Sequence, residues 1–158
     1  EANRYFFVRD PVRVEIKDAP EGTTVARPPL HPDDDRGERE IEVGNEIYLE
    51  ADDIPEEGKR LRLKSLYNVE VVSKDPPVVR HIGDDLSLVR DEGVSVVHWA
   101  SALGDETVEA TLRTPSGDDT GVVEKGAVKE EENVVQFERV GFARVEDADP
   151  FVAFFAHR

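Results

Sequence analysis

The sequence predicts an all-β protein, on the strength of its residue periodicity and its turn residues. Apolar and charged residues alternate in about a dozen short runs; residues 12–17 read VRVEIK. Such alternation places the apolar side chains on a buried sheet face and the charged ones in solvent. No stretch of ten or more residues keeps a helical period between capping residues. We therefore expect strands without crossover helices, closed or nearly closed into barrels so that few edges stay free.

The predicted strands follow one another with turn residues between them. They span residues 4–8, 12–17, 40–43, 46–50, 60–63, 67–73, 95–99, 107–112, 120–123, 134–140, 142–146 and 151–156. Breaks fall at Asp10-Pro11, Pro55, Gly58, Gly104 and the Pro-Ser-Gly of 115–117. Residues 27–38, with three prolines and three consecutive aspartates, and residues 75–85, which contain Pro76-Pro77, do not fit the strand pattern. We predict residues 27–38 as a loop and expect no regular strand in residues 75–85.

Length and charge limit the classes of function. The 158 residues fit one domain or two small barrels, and the absence of cysteine excludes disulfides and thiol chemistry. No apolar run approaches the ~18 residues of a membrane span, so we expect a soluble, cytoplasmic protein with no membrane partner. The net charge is -16, spread along the whole chain, with 14 Arg but only six Lys. That spread favours adaptation to high salt over an ordinary acidic protein.

One segment opposes the acidic trend. Residues 58–74 carry five cations against Glu70, giving a net charge of +4: Lys59, Arg60, Arg62, Lys64 and Lys74. Because Arg60, Arg62 and Lys64 alternate with leucines, a strand would present the three cations on one face. Tyr67 and Asn68 follow with a ring that can stack on a base and an amide that can pair with a base edge, which suits unpaired RNA. The alternative is a solvated strand face with a core tyrosine.

Other candidate sites are weaker. Residues 3–17 form a smaller basic segment of net charge +2, with Arg4, Arg9, Arg13 and Lys17 against two acids. Arg4 and Arg9 fall on opposite faces of a strand, so only one of them can belong to the same surface as a ligand. His31 precedes three adjacent carboxylates on a proline-rich loop without a second histidine nearby, so we expect no metal site there. The HIGD sequence at 81–84 lacks the final histidine and the flanking elements of a class I synthetase nucleotide motif. The sequence shows no catalytic residues.

Five segments in order resemble a known family. They read RYFFVRDPV at 4–12, LHP at 30–32, LRLKSLYN at 61–68, VHW at 97–99 and VQFERVGF at 135–142. Together they resemble the C-terminal anticodon-binding region of archaeal-type glutamyl-tRNA synthetases, which are related to the glutaminyl enzymes. The resemblance spans residues 4 to about 146, and GFARV at 141–145 and Leu66-Tyr67-Asn68 favour the glutamyl group.

The resemblance implies two small antiparallel β-barrels that hold the anticodon arm of tRNA(Glu), or also of tRNA(Gln). The family layout places residues 1–57 and 115–158 in a proximal barrel and residues 58–114 in a distal one. It also implies that a separate catalytic domain of the same full-length chain uses ATP with magnesium, and that these 158 residues hold no cofactor. The lysine-rich active-site loop of a class I synthetase should lie upstream of residue 1.

The resemblance also assigns roles to single residues. Arg4, Arg62 and Lys64 match positions where the glutaminyl relatives place cations against anticodon bases. Bases would then stack on Tyr67, with Arg62 at a base edge and Lys59, Arg60 and Lys64 at phosphates. Lys64 and Ser65 differ from the glutaminyl pattern, so the exact base contacts are not expected to transfer.

Two questions stay open at this point. The phenylalanines and Trp99 are assigned to barrel cores or to the interface between barrels, although residues 151–155 would also suit docking on the catalytic domain. The functional alternatives are a glutaminyl-tRNA synthetase anticodon domain and an acidic β-barrel interaction module that binds no RNA.

Overall fold

The computed structural model describes residues 2–158, and strands dominate it. The strands are β1 (Asn3–Tyr5), β2 (Phe7–Arg9), β3 (Pro11–Lys17), β4 (Thr24–Ala26), β5 (Ile41–Val43), β6 (Glu46–Glu50), β7 (Arg60–Leu63), β8 (Tyr67–Lys74), β9 (Pro77–Gly83), β10 (Val96–Val97), β11 (Ala100–Ser101), β12 (Thr107–Thr114), β13 (Gly117–Glu124), β14 (Val134–Phe137), β15 (Gly141–Ala148) and β16 (Phe151–His157). A short helix, α1 (Ser87–Glu92), and two 3₁₀ turns, Ala51–Asp53 and Lys125–Glu130, accompany them. The all-β prediction is confirmed.

Two seven-stranded sheets make up most of the fold, and β4 and β5 form a third sheet of two strands. Barrel 1 has the strand order β1-β14-β15-β16-β12-β13-β2, and barrel 2 has the order β10-β7-β8-β9-β3-β6-β11. In each case the two edge strands are neighbours in the chain, joined by Phe6 in barrel 1 and by His98-Trp99 in barrel 2. A one- or two-residue connection requires the edges to lie close together, so each sheet curls back on itself.

The strand pairing differs from the predicted division of the chain. β3 and β6, from residues 1–57, pair within barrel 2, where β3 lies beside β9. β12, from residues 58–114, pairs with β13 and β16 in barrel 1. Barrel 1 is thus formed by both ends of the described chain, and barrel 2 by residues 11–101. Four pairs run parallel, β1–β14, β7–β10, β3–β9 and β12–β16, so both sheets are mixed rather than purely antiparallel.

One segment that was expected to lack a strand contains one. Residues 75–85 were expected to be irregular because of Pro76-Pro77, but β9 begins at Pro77 and pairs with both β8 and β3. Proline is tolerated at the first residue of a strand, and Val78 and Val79 behind it are buried. The prediction for residues 27–38 is confirmed, because that segment contains only one isolated bridge, between Pro29 and Glu38.

Each barrel has its own hydrophobic core, and the first strands contribute to both. Tyr5 and Phe7 lie in the core of barrel 1, whereas Phe6 between them lies in the core of barrel 2. Alternate side chains of an extended segment point in opposite directions, so residues 5–7 pass between the two cores. The Phe6 ring packs against Trp99 at 5.6 Å between ring centroids. The short connections that close the two barrels therefore pack against each other.

Closure of barrel 1 depends on a glycine. Gly121 on β13 pairs with Arg9 on β2. A Cβ atom at position 121 would lie 1.9 Å from the carbonyl oxygen of Val8, and backbone atoms cannot yield by that amount. Glycine at this position allows β2 to approach closely enough to complete the sheet.

No helix in the described part of the chain has the length and apolar character needed to cross a bilayer.

Candidate nucleic-acid interface

Two of the predicted RNA-binding cations, although distant in sequence, lie close together where barrel 1 contacts barrel 2. This region is called the junction. Arg4 lies on β1 of barrel 1, and Lys64 directly follows β7 of barrel 2. Lys64 Nζ donates to Oε1 of Glu138, and Arg4 Nη1 lies 3.5 Å from the same oxygen. Arg4 Nε also donates to Gln136 Oε1 at 3.0 Å. Both cationic side chains stay partly in solvent, with 26% of Arg4 and 37% of Lys64 exposed.

A buried ion pair lies behind this contact. Arg39 follows the proline-rich loop and donates from Nε and Nη2 to the two oxygens of Glu124, at 2.9 and 3.0 Å. Its Nη2 is also 3.6 Å from Glu138 Oε2. Glu124 in turn accepts the backbone N–H of Phe6 at 2.6 Å. The junction therefore contains three cations, Arg4, Arg39 and Lys64, around two carboxylates, and its net charge is positive in a strongly acidic chain.

The rest of the basic segment is arranged differently from the prediction. Arg60 is exposed and lies 3.5 Å from Glu70 and 3.6 Å from Glu92. Arg62 is buried, and its Nη1 donates to Asp84 Oδ1 at 2.7 Å. Lys59 is exposed beside a cleft lined by Arg60 and Glu92. The three alternating cations therefore do not form one exposed row, because each is turned to a different carboxylate.

The predicted roles of Tyr67 and Asn68 are wrong. Tyr67 is 3% exposed in the core of barrel 2, where its ring meets that of His81 edge to face with 4.5 Å between the ring centroids, so a base cannot stack on it. Burial raises the pKa of the Tyr67 phenol to about 12. Asn68 is 1% exposed and donates from Nδ2 to the carbonyl of Asp85 at 2.9 Å. β8 is buried on both faces over residues 67–69, so period-two alternation does not apply there.

A second ion-pair network joins the barrels near the first. Glu50 of barrel 2 accepts hydrogen bonds from Arg9 Nη2 at 3.1 Å and from His98 Nε2 at 2.9 Å. Arg139 of barrel 1 donates to His98 Nδ1 at 2.9 Å and to both oxygens of Asp53. Because a guanidinium only donates, Nδ1 of His98 accepts and its Nε2 carries the proton given to Glu50.

The same residues have the composition of a metal site. Ligand atoms of Glu50, Asp53 and His98 lie within 4.8 Å of one another. Each of the three already has an arginine partner, Arg9 or Arg139. We therefore assign the cluster to contacts between the barrels.

The contacts of Glu50 predict that the stability of the fold decreases at acidic pH. Burial of Glu50 disfavours its ionised form, but hydrogen bonds from His98 and Arg9 outweigh burial and lower its pKa from 4.5 to about 2. A carboxyl group with a lowered pKa in the folded state stabilises the protein above its unfolded pKa and loses that contribution as the pH falls. We expect Glu50→Gln to be less stable than the parent by up to about 3 kcal/mol above pH 4.5, with the gap closing between pH 4.5 and 2.

The measurement is denaturant unfolding of both proteins across that pH range at one salt concentration. The control is Glu46→Gln, because Glu46 forms an exposed ion pair with Arg13 and should leave stability within about 0.5 kcal/mol at every pH. A gap for Glu50→Gln that does not change with pH would contradict the assignment.

Comparison with known proteins identifies the family of the chain. Two family models, both described as tRNA synthetases class I (E and Q), anti-codon binding domain, match residues 2–83 and 96–146. The chain is 47% identical to a glutamate–tRNA ligase from Natronomonas pharaonis, over 99% of this chain and 27% of the relative. Glutamate–tRNA ligases from Methanosarcina acetivorans and Haloarcula marismortui are 43% and 41% identical, each over 99% of this chain and 28% of the relative. The chain belongs to the family of class I (E and Q) anticodon-binding domains.

This anticodon-binding domain spans little more than a quarter of the length of the curated relatives it matches. The matched residues include strands of both barrels: 2–83 cover most of barrel 2 together with β1 and β2, and 96–146 cover β10 to most of β15, whereas β16 lies outside them. The inter-barrel contacts of Arg4, Lys64 and Glu138 therefore lie within matched segments of the chain.

Sequence reasoning missed three residues of the domain's junction: Gln136, Glu138 and Arg39. Gln136 and Glu138 lie in the VQFERVGF segment, but no local pattern indicates that their partners are Arg4 and Lys64. Arg39 ends a loop that reads as solvent-exposed, although it is buried against Glu124. The sequence offers one signal for Arg39, namely that it lies two residues before the strand Ile41–Val43. A cation next to an apolar strand is too common to indicate a buried ion pair.

Proposed function

We propose that this anticodon-binding domain recognises the anticodon arm of tRNA(Glu), within a longer chain that attaches glutamate to that tRNA. The curated relatives named glutamate–tRNA ligase support the amino acid, and the family description supports the part of the tRNA that is bound. Recognition rather than catalysis is the role of these residues. ATP and magnesium would act in another part of the longer chain.

The observation that carries the proposal is the meeting of Arg4 and Lys64 at the barrel junction. The two cations come from different barrels, are partly exposed and share one oxygen of Glu138. An anticodon loop presents phosphates and unpaired base edges close together, and two fixed cations at one point suit both. In a chain of net charge -16, a local excess of cations gives polyanionic RNA a preferred place to bind.

The other cations are given secondary roles. Lys59 and Arg60, at the far end of β7, would contact phosphates further along the arm. Arg62 is buried and paired with Asp84, so it is not proposed as a base contact. Stacking of a base on this surface would use the guanidinium plane of Arg4 in place of the Tyr67 ring.

A binding experiment tests the proposal. A fluorescently labelled tRNA(Glu) anticodon stem-loop is titrated with the chain over a series of KCl concentrations, down to the lowest at which circular dichroism shows it folded. We expect binding that weakens as salt rises. The double variant Arg4→Gln/Lys64→Gln should bind at least about 30-fold more weakly, because each of the two lost contacts is worth about 1–3 kcal/mol.

The matched control is Arg13→Gln/Lys17→Gln. It removes the same two charges from β3, where Arg13 and Lys17 are exposed. Equal weakening by both double variants would mean that charge alone matters and would remove Arg4 and Lys64 from the site. No binding by the parent chain at any salt concentration would favour an acidic interaction module and overturn the proposal.

Glutaminyl recognition is the second candidate, because the matching family covers both the E and the Q enzymes. The same titration with a tRNA(Gln) stem-loop decides between them. Tighter binding of the tRNA(Glu) arm is expected, and equal binding of both arms would extend the proposal to tRNA(Gln).

We also infer a cytoplasmic protein adapted to high salt. Support comes from the charge of -16, from 14 Arg against six Lys, and from relatives in Natronomonas, Haloquadratum and Haloarcula. At high salt phosphate contacts contribute little affinity, so base contacts at the junction gain importance.

A further inference from the structure

Glu138 is a buried carboxylate shared by three cations. It lies directly after β14 and is 5% exposed. Its Oε1 accepts from Lys64 and lies 3.5 Å from Arg4, while its Oε2 lies 3.6 Å from Arg39. Its backbone N–H donates to the carbonyl of Tyr5 at 3.1 Å. A charge removed from water is stable only with such partners, so the position of Glu138 is strongly fixed.

The carboxylate fixes two side chains that would otherwise be mobile. Arg4 and Lys64 have long side chains whose tips are partly exposed. Free side chains of this kind lose conformational entropy when a ligand immobilises them, and that loss weakens binding. Glu138 and Gln136 hold these tips before any ligand arrives. Because Arg4 belongs to barrel 1 and Lys64 to barrel 2, the same carboxylate also sets the distance between cations of different barrels.

We propose that Glu138 is a positioning residue that gives the RNA interface its discrimination between anticodon sequences. The proposal rests on the proposed function and adds to it the residue that sets selectivity. A hydrogen bond to a base edge needs its donor in one place, whereas a phosphate tolerates a cation in many places. Losing the fixed geometry should therefore harm binding of the correct loop more than binding of any other loop.

The Trp99 side chain completes the support of this site. Its Nε1 donates to the carbonyl of Lys64 at 2.9 Å, and its ring packs on Phe6, two residues from Arg4. The backbone under Lys64 is thereby held by the inter-barrel contact, and Glu138 fixes the side chain above it. A binding site of precise geometry requires that both the backbone and the side chain of its residues be held in place.

The test compares the affinities of two stem-loops for the parent chain and for one variant. Affinities of the chain and of Glu138→Gln are measured for the tRNA(Glu) anticodon stem-loop and for the same stem-loop with its three anticodon bases replaced. We define the ratio as the affinity for the tRNA(Glu) stem-loop divided by the affinity for the stem-loop with replaced bases. We expect this ratio to be about tenfold lower in Glu138→Gln than in the parent chain. Binding of the replaced loop should stay equal or become tighter, because one negative charge has left the surface.

Asp53→Asn is the matched control. It also removes one negative charge and one inter-barrel ion pair, that with Arg139, but it touches neither Arg4 nor Lys64. The ratio should be unchanged in this variant. Thermal unfolding of all variants at the assay salt identifies the temperature range in which they are folded.

The possible outcomes distinguish a failure of this proposal from a failure of the proposed function. An unchanged ratio in Glu138→Gln, or equal weakening for both loops, assigns Glu138 a structural role only and overturns the inference. Absence of binding by the parent chain overturns the proposed function instead. If Glu138→Gln does not fold, Lys64→Gln replaces it: the buried carboxylate then keeps Arg4 and Arg39, and an unchanged ratio in that variant overturns the inference equally.

Discussion

Arg39→Ala is expected to destabilise the domain by about 3–5 kcal/mol, because it leaves buried carboxylates without their partner. Arg39 binds Glu124 through two hydrogen bonds of 2.9 and 3.0 Å and donates from Nη1 to the carbonyl of Pro29 at 2.6 Å. Its guanidinium also lies 4.9 Å above the Phe6 ring. Arg39→Lys should lose less stability, since it keeps the charge but loses the two-pronged contact.

The measurement is chemical unfolding followed by the fluorescence of Trp99, the one tryptophan of the chain, at fixed salt. Arg27→Ala is the control, because Arg27 and Glu40 form an ion pair that is exposed on both sides. That variant should stay within about 0.5 kcal/mol of the parent. A loss below about 1 kcal/mol for Arg39→Ala would show that water compensates the freed carboxylates and that the pair contributes little.

Phe6→Ala is expected to cost a similar amount, about 3–5 kcal/mol, through a cavity between the two barrels. Phe6 is fully buried and contacts Trp99, His98 and the Arg39 guanidinium. Its neighbours Tyr5 and Phe7 stay in the core of barrel 1, so no other side chain of this segment can fill the space. Phe6→Leu should lose less, because most of the volume remains.

Circular dichroism is the appropriate probe here, because the mutation changes the surroundings of Trp99. Phe154→Ala is the control: Phe154 lies on β16 with 46% of its surface exposed, and its loss should cost less than about 1 kcal/mol. If both variants lost stability equally, the contact of Phe6 with barrel 2 would not be what joins the barrels.

Local patterns were sufficient to predict most strands. Strict alternation in residues 12–17 predicted β3, and its buried positions, Val14 and Ile16, are in the core of barrel 2. Where a strand is buried on both faces, as in β8, alternation disappears, and Tyr67 was assigned to the surface in error. Phe154, for which both a core position and docking on the catalytic domain were predicted, is exposed.

The candidate site depends on contacts that have no local signal. Lys64 and Glu138 are 74 residues apart, and Arg39 and Glu124 are 85 residues apart. Composition indicated the basic segment correctly but not the carboxylates that pair with it. Only the pairing of strands from different parts of the chain decides which of 36 acids lies beside which base.

The discontinuity of barrel 1 has a consequence for vectorial synthesis. All seven strands of barrel 2 lie between residues 11 and 101, so its hydrogen bonding can be complete before β12 to β16 leave the ribosome. β1 and β2 can form their strand pairs only after β14 and β13 have been synthesised, as the pairing of Asn3 with Val135 shows. Unpaired strands of a nascent chain are prone to wrong pairing. Phe6, inserted early into barrel 2, would hold this waiting segment beside its eventual position.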